Sequence, residues 1–562
     1  MENTQFTVGH SVAQMLLRHG IKEFFGQGLP QGLSLPFEEM GLRQVAYRTE
    51  NGGGYMADGY ARVSKKPGVM IAQNGPAATL VVPAVAEALK SSIPMIVLLQ
   101  EVPLANEDKN AFQEFDHIRL FSACTKWTRR VTTPSRMEDY IDQAFAAACS
   151  GRPGPAVLLI PNDMLGLPAT PSTRKASLGH YPLDPVQPAT ESLRVLAEHL
   201  LESKNPVIVA GGGVHLSSAC DALSRLQDEF SLPVATTVMG KGSVSEMHPL
   251  SLGVMANALG PCSMSRHQRP ILEEADFILL IGSRTDQNST DSWRLYPREA
   301  TFAHIDMDGG EVGRNYEALR FVGDARLTIE ALIEVMRGMD ASKRTAARAA
   351  LEKRIEEGRA KTQAEMDELL ARTELPMHPA QVMAQVDKFV TEDSIVVADA
   401  SFSSIWATNN IRARKTGMRF ITPRGMAGLG WGLPMALGAA VAQPEAPIFV
   451  ISGDGGFAHV WSEMEVAVRE KLKVTMIILD NDVLGYVKTS EMLRYGKNST
   501  SVFMAHIDHV ALAKACGFEA VHVETTEELE AALKLAAASE KPFLIEAKCT
   551  DNCPPITDFV GR

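Results

Sequence analysis

The chain has 562 residues, 45% hydrophobic and 22% charged, with a formal net charge of −12. At roughly 150 residues per domain, that length supports three or four domains of ordinary globular composition. The acidic balance argues against nonspecific binding to nucleic acid or an anionic membrane surface. In chain order, residues 6–19 read as an amphipathic helix with Val8, Val12, Met15 and Leu16 on one stripe, and 21–26 as a short strand. A strand at 44–48 ends at Thr49-Glu50-Asn51, and a helix is predicted over 52–63. Strand 68–73, the loop Asn74-Gly75-Pro76, a helix to residue 91, strand 94–100, helix 137–149 and strand 155–161 complete a first unit. Residues 162–190, rich in Pro, Ser and Thr, read as a linker.

A second unit has strands at 206–210, 233–238, 277–281 and 301–306, followed by a charged, Ala-rich helical bridge over 340–373. A third unit begins at 377, with strands at 394–398, 448–451 and 474–479. Repeated βα units predict an α/β fold of three doubly wound parallel-sheet domains, at 1–170, 190–340 and 375–562. Seven cysteines, at 124, 149, 220, 262, 516, 549 and 553, follow no framework spacing. Cys549 and Cys553 lack CxxC spacing and a histidine partner, so they read as loop thiols. No basic stretch followed by an apolar one opens the chain, and no apolar run reaches the roughly 18 residues a membrane span needs. The expectation is a cytoplasmic enzyme.

Two adjacent strand ends carry oxygen ligands. The strand at 448–451 runs into Gly453-Asp454-Gly455-Gly456, and the next into Asp480-Asn481-Asp482. Open α/β sheets bind ligands at this carboxyl edge. Glycines let backbone amides approach a phosphate, while Asp454 and Asn481 offer the hard oxygens that Mg²⁺ prefers. The plain alternative is a Gly-rich turn with a helix-capping aspartate. Similarly, Glu50 at the end of the 44–48 strand reads by itself as a helix cap or a surface ion pair.

Together these segments resemble the thiamine-diphosphate (ThDP)-dependent decarboxylases and carboligases, and are most similar to acetohydroxyacid (acetolactate) synthase catalytic subunits. Four further segments carry the resemblance: Asn74-Gly75-Pro76-Ala77, Ala427-Gly428-Leu429-Gly430-Trp431-Gly432-Leu433-Pro434, Ile281-Gly282-Ser283-Arg284-Thr285-Asp286 and His304-Ile305-Asp306-Met307-Asp308. It spans nearly the whole chain, in the order pyrimidine-binding, middle and diphosphate-binding domain. ThDP supplies a nucleophilic carbon and a sink for the resulting carbanion. The resemblance implies that Glu50 hydrogen-bonds the pyrimidine nitrogen, that Leu429 wedges the two rings together, and that the Ala427 carbonyl accepts from the exocyclic amine. Asp454, Asn481 and the Val483 carbonyl would hold Mg²⁺, Gly455 and Gly456 would give amides to the diphosphate, and Gly75 and Gly485 would lie nearby. Gln113 is a catalytic candidate. Gln31, Phe112 and Trp406 are substrate-contact candidates that read equally as loop packing; His459 reads either as a neighbour of the diphosphate or as a histidine satisfied at a helix start, and His117 is open in the same way.

The family joins its two ThDP domains across subunits, which implies a homodimer or homotetramer acting on a 2-oxo acid or a related carbonyl substrate. Relatives bind FAD, ADP or nothing in the middle domain, and Gly211-Gly212-Gly213 would suit a nucleotide's phosphates. The chain departs from the pattern at Asp480, where an Asn is usual, at Asn51-Gly52, and at 484–491, which lacks the Gln-Trp pair of biosynthetic acetohydroxyacid synthases. The last departure favours a specialised relative. No cluster of Arg and Lys marks residues 549–562, which argues against an acyl-CoA lid. The leading expectation is decarboxylation with carboligation. The alternatives are a C–C lyase or simple decarboxylase, and a noncatalytic ThDP-binding subunit, against which an intact Glu50 argues.

Overall fold

The computed structural model describes residues 5–179, 185–257, 259–260 and 263–551; Cys262, Cys553 and the remainder of the carboxyl end lie outside them. Three six-stranded sheets form, and the strands pair in parallel throughout. Counted within each domain, the first and third sheets share the strand order 2-1-3-4-6-5, whereas the middle sheet runs 6-5-4-1-2-3. The similarity of the outer domains is therefore topological. The middle order, read from its other edge, is the 3-2-1-4-5-6 of dinucleotide-binding sheets.

Mostly apolar strands such as Met95–Glu101, Pro155–Pro161 and Phe277–Ile281 lie inside the sheets, buried on both faces by flanking helices. The edges hold strands the apolar pattern does not reveal: Trp127–Arg130, Ala318–Val322, Arg419–Ile421 and Glu519–Val523. Up to residue 179, the stretch read as a linker is tied to the first domain. Thr7 bridges Pro168, Gln14 exchanges hydrogen bonds with Ser172, and Arg174 pairs with Asp139 and Asp142. The charged helix Ser342–Leu370 packs on the middle domain through Ile355 and Gly358, and Arg359 donates to the carbonyls of Glu246, His248 and Ser251.

Domains one and three meet along two glycine-bearing helices, Glu50–Ser64 and Gly432–Ala442. A Cβ on Gly59 would lie 2.1 Å from the Met435 carbonyl oxygen, and one on Gly438 would lie 1.9 Å from that of Met56. Only glycine permits so close a crossing. Tyr55 stacks on the buried Trp431 ring across the same seam, with ring centroids 3.5 Å apart.

Candidate active site

At the third sheet's carboxyl edge, strands Ile448–Gly453 and Thr475–Asp480 lie side by side, with Gly453 level with Leu479. This places Asp454 against the Asn481 turn. Asp454 Oδ2 accepts from the amides of Asn481 (3.0 Å) and Asp482 (2.7 Å), and Oδ1 accepts from Gly455 (2.7 Å). Burial pushes its carboxyl up to about 6, and among the described residues no basic side chain pairs with it. A buried carboxylate without a counter-cation, beside the Asn481 amide oxygen, is a donor set that could hold a hard divalent ion. Asp454, Gly455, Gly456, Asn481, Val483 and Gly485 line one cavity of about 110 Å³, with Leu429 on its wall. Asp480 and Asp482 share Lys548, which offsets the added acidity next to Asn481.

The first-domain candidates form a separate group. The helix starts at Glu50 rather than at Gly52, because the Thr49 hydroxyl caps it by accepting from the Gly52 amide. Gly75 and Gln113 adjoin: Gln73 Nε2 donates to Gln113 Oε1, Asn74 Nδ2 donates to the Gln113 carbonyl, and Gln113 has φ +62°. His117 is buried, accepts the Gly75 amide at Nε2 (3.1 Å) and faces Glu101 through Nδ1. These contacts tie the Gly75 turn to the end of strand Met95–Glu101. Phe112 is 86% exposed, and Gln31 begins a surface helix. Trp406 is buried, lines the third-domain cavity and meets His378 edge-on. His459 is exposed. None of Glu50, Gly75 and Gln113 lines the third-domain cavity; Leu429 on its wall is 36% exposed, and Met426, three residues earlier, is 59% exposed.

Three buried carboxylates that sequence reasoning missed hold these loops. Glu463 accepts the amides of Arg48 (3.1 Å) and Thr49 (2.9 Å) and the Thr49 hydroxyl, so a third-domain side chain sets the turn before Glu50. Reciprocally, Glu87 of the first domain accepts the amides of Gly425 (2.7 Å), Met426 and Ala427 (3.3 Å). Ala427 there has φ +57°, a left-handed conformation that costs a non-glycine residue energy and is found at ligand-facing turns. Asp399 accepts from Gly430 and Trp431, the turn that carries Leu429. Burial raises the Glu463 and Asp399 carboxyls above their ordinary values, even against these donors.

Comparison with known proteins matches residues 6–120 to the thiamine pyrophosphate enzyme N-terminal TPP-binding domain, 193–332 to the central domain and 399–547 to the C-terminal TPP-binding domain. The chain is 31% identical to a probable acetolactate synthase large subunit of Methanococcus aeolicus, over 92% of its own length and 88% of that protein. It is 29% identical to the acetolactate synthase large subunit of Lactococcus lactis (95% and 91% covered), and 28% to the mitochondrial acetolactate synthase catalytic subunit of Saccharomyces cerevisiae (99% and 82%). The chain belongs to the thiamine pyrophosphate enzyme family.

A larger cavity, about 760 Å³, opens at the central domain's switch between strands Pro206–Ala210 and Phe277–Ile281, and is closed by residues of the first and third domains such as Arg152 and Arg424. Its walls include Gly212, Gly213, Ser283, Arg284, Asp306 and Arg424. The glycine triplet has a packing role that its sequence does not disclose. Gly211 and Gly213 donate to the carbonyls of Ile281 and Gly282, and a Cβ on Gly211 would lie 2.3 Å from the Gly282 oxygen. Among the described residues, no helix is long and apolar enough to cross a membrane.

Proposed function

We propose that this family member uses ThDP and Mg²⁺ to decarboxylate a 2-oxo acid and to join the acyl carbon to an acceptor carbonyl, a reading that its similarity to acetolactate synthases supports. The observation that carries this reading is the meeting of Asp454, Asn481, Gly455 and Gly456 in one cavity under Leu429. Bound ThDP supplies the carbon nucleophile and the electron sink. Asp454, Asn481 and the Val483 carbonyl bind the Mg²⁺ that neutralises the diphosphate. Gly456 would give it an amide, and Gly455, whose own amide donates to Asp454 Oδ1, would border it with Gly485 alongside. Leu429 and Ala427 orient the rings. Glu50 would hydrogen-bond the pyrimidine nitrogen and hold a proton there, and Gly75 and Gln113 would border the reacting end.

Glu50 lies outside the third-domain cavity of its own chain while Leu429 and Met426 are exposed, which supports a homodimer, or a tetramer of two dimers, with each site shared between subunits. The strand order and volume of the central cavity, with Arg284 and Arg424 on its walls, support a dinucleotide such as FAD there. The test incubates the full chain with ThDP, Mg²⁺ and a panel of 2-oxo acids, pyruvate first, with and without added aldehyde. Carbon dioxide release with a 2-hydroxy ketone or acetolactate product supports the reading, release of free aldehyde alone redirects it to simple decarboxylation, and no turnover overturns it. The absorption spectrum of the protein as purified, and analysis of any nucleotide released on denaturation, tests the central cavity.

A further inference from the structure

We propose that Asp399 is a positioning residue that fixes the spacing between the two ends of the cofactor cradle, the Leu429 turn and the Asp454–Gly456 turn; this rests on the ThDP reading above. Asp399 follows strand Ile395–Ala398, which pairs with Ile448–Gly453 at the point where the third sheet's strand order reverses. It is 1% exposed and does not line the diphosphate cavity, so it acts through its neighbours. Oδ1 accepts the amides of Ala400 (2.8 Å) and Trp431 (3.0 Å). Oδ2 accepts the Gly430 amide (3.0 Å) and the Ser452 hydroxyl (3.3 Å). The amides of Gly430 and Trp431 follow Leu429 directly, and Gly430 itself is at φ +83°.

The same oxygen borders the other end of the cradle. A Cβ on Gly456 would lie 2.2 Å from Asp399 Oδ2, so the metal turn is seated directly on this carboxylate. Gly432, just past the wedge turn, also packs tightly here, with its Cβ position 3.1 Å from Asp399 Cβ. One carboxylate thus contacts the wedge turn by hydrogen bonds and the phosphate turn by packing. With its donors coming from three separate segments, it has no room to swing. Gly456 is glycine on this account for the sake of Asp399 as well as for a phosphate.

The test compares wild type with Asp399→Asn, Leu429→Ala and the double variant in the full chain. Asn replaces one oxygen by a donor facing donors, so two donors lose their acceptor, one of them an amide of the Leu429 turn, Gly430 or Trp431. In the cofactor-free protein, amide hydrogen exchange over residues 428–432 should quicken about tenfold or more in Asp399→Asn. With ThDP and Mg²⁺ added, deuterium exchange at the thiazolium carbon, followed by NMR, should slow about tenfold, while ThDP affinity changes less than about threefold. The Asp399→Asn and Leu429→Ala effects should not multiply, because both act through one turn.

Wild-type amide exchange in Asp399→Asn would overturn the proposal. So would multiplicative effects, or a loss of affinity as large as the loss of thiazolium exchange, the mark of a general structural role. If Asp399→Asn does not fold, Ser452→Ala takes its place: slower thiazolium exchange supports the proposal, and an unchanged rate overturns it. A wild-type protein that promotes no thiazolium exchange would refute the ThDP reading instead, while the cofactor-free amide exchange would still decide the hold of Asp399 on the turn.

Discussion

Replacing Glu463 with glutamine should loosen the turn that presents Glu50 without unfolding the chain. Glu463 is fully buried, with Oε1 taking the Thr49 amide and hydroxyl (2.9 Å each) and Oε2 the Arg48 amide (3.1 Å). Gly52 packs so closely that its Cβ position lies 2.4 Å from Oε1, which leaves the side chain no alternative rotamer. Glutamine keeps the shape but offers one acceptor oxygen, so an NH₂ group must face at least one backbone N–H. Losing one charge-assisted hydrogen bond and weakening the other two costs about 2–4 kcal/mol. That equals an increase of about 30- to 1,000-fold in the local opening of the turn. Amide hydrogen exchange read by mass spectrometry over residues 46–53 measures it, and turnover should fall in parallel as Glu50 loses its alignment. Protection within about threefold of wild type, or a loss spread evenly over the whole chain, would refute the reasoning.

Glu50→Gln should leave ThDP bound while turnover and thiazolium proton exchange fall by about 100-fold or more; undiminished turnover removes Glu50 from the chemistry. Gly438→Ala sets a methyl 1.9 Å from the Met56 carbonyl oxygen, backbone against side chain, so the seam between domains one and three must open. The cost is about 1–3 kcal/mol or more, and an unchanged thermal midpoint would contradict the helix contact. Burial alone would raise Glu546, but hydrogen bonds from His509 and His522 hold its carboxyl at about 2, against an ordinary 4.5. A depressed carboxylate stabilises the fold above its unfolded value and loses that contribution as pH falls. Glu546→Gln should therefore be less stable than wild type at pH 7, with the gap in thermal midpoint closing as pH drops from about 4.5 towards 2.

The central strands and the carboxyl-edge motifs could be read from the chain because their signals are local. Apolar runs such as Ile448 to Ile451 end in residues whose chemistry shows at once, and parallel topology then brings consecutive strand ends to one edge. Edge strands such as Glu519–Val523 mix exposed and buried positions and carry no comparable signal. Phe543–Lys548 is interrupted by Glu546, a buried acid that makes sense only beside His509 and His522. Glu87 and Glu463 were invisible for a related reason: each sits in unremarkable sequence and serves the backbone of the other ThDP domain, hundreds of residues away. Asp399 did have a signal, an acid directly after an apolar strand, in the same place relative to its strand as Asp454. The helix begins at Glu50, two residues ahead of the predicted 52, because Thr49 caps it.

The most direct test of the central claim, that Asp454 and Asn481 hold the ion anchoring the cofactor, is calorimetric titration of ThDP into wild type and Asp454→Ala, with Mg²⁺ and with EDTA. Binding is expected only in wild type with Mg²⁺, with ion and cofactor lost together in the variant. ThDP binding of equal affinity in EDTA, or in Asp454→Ala, would contradict it.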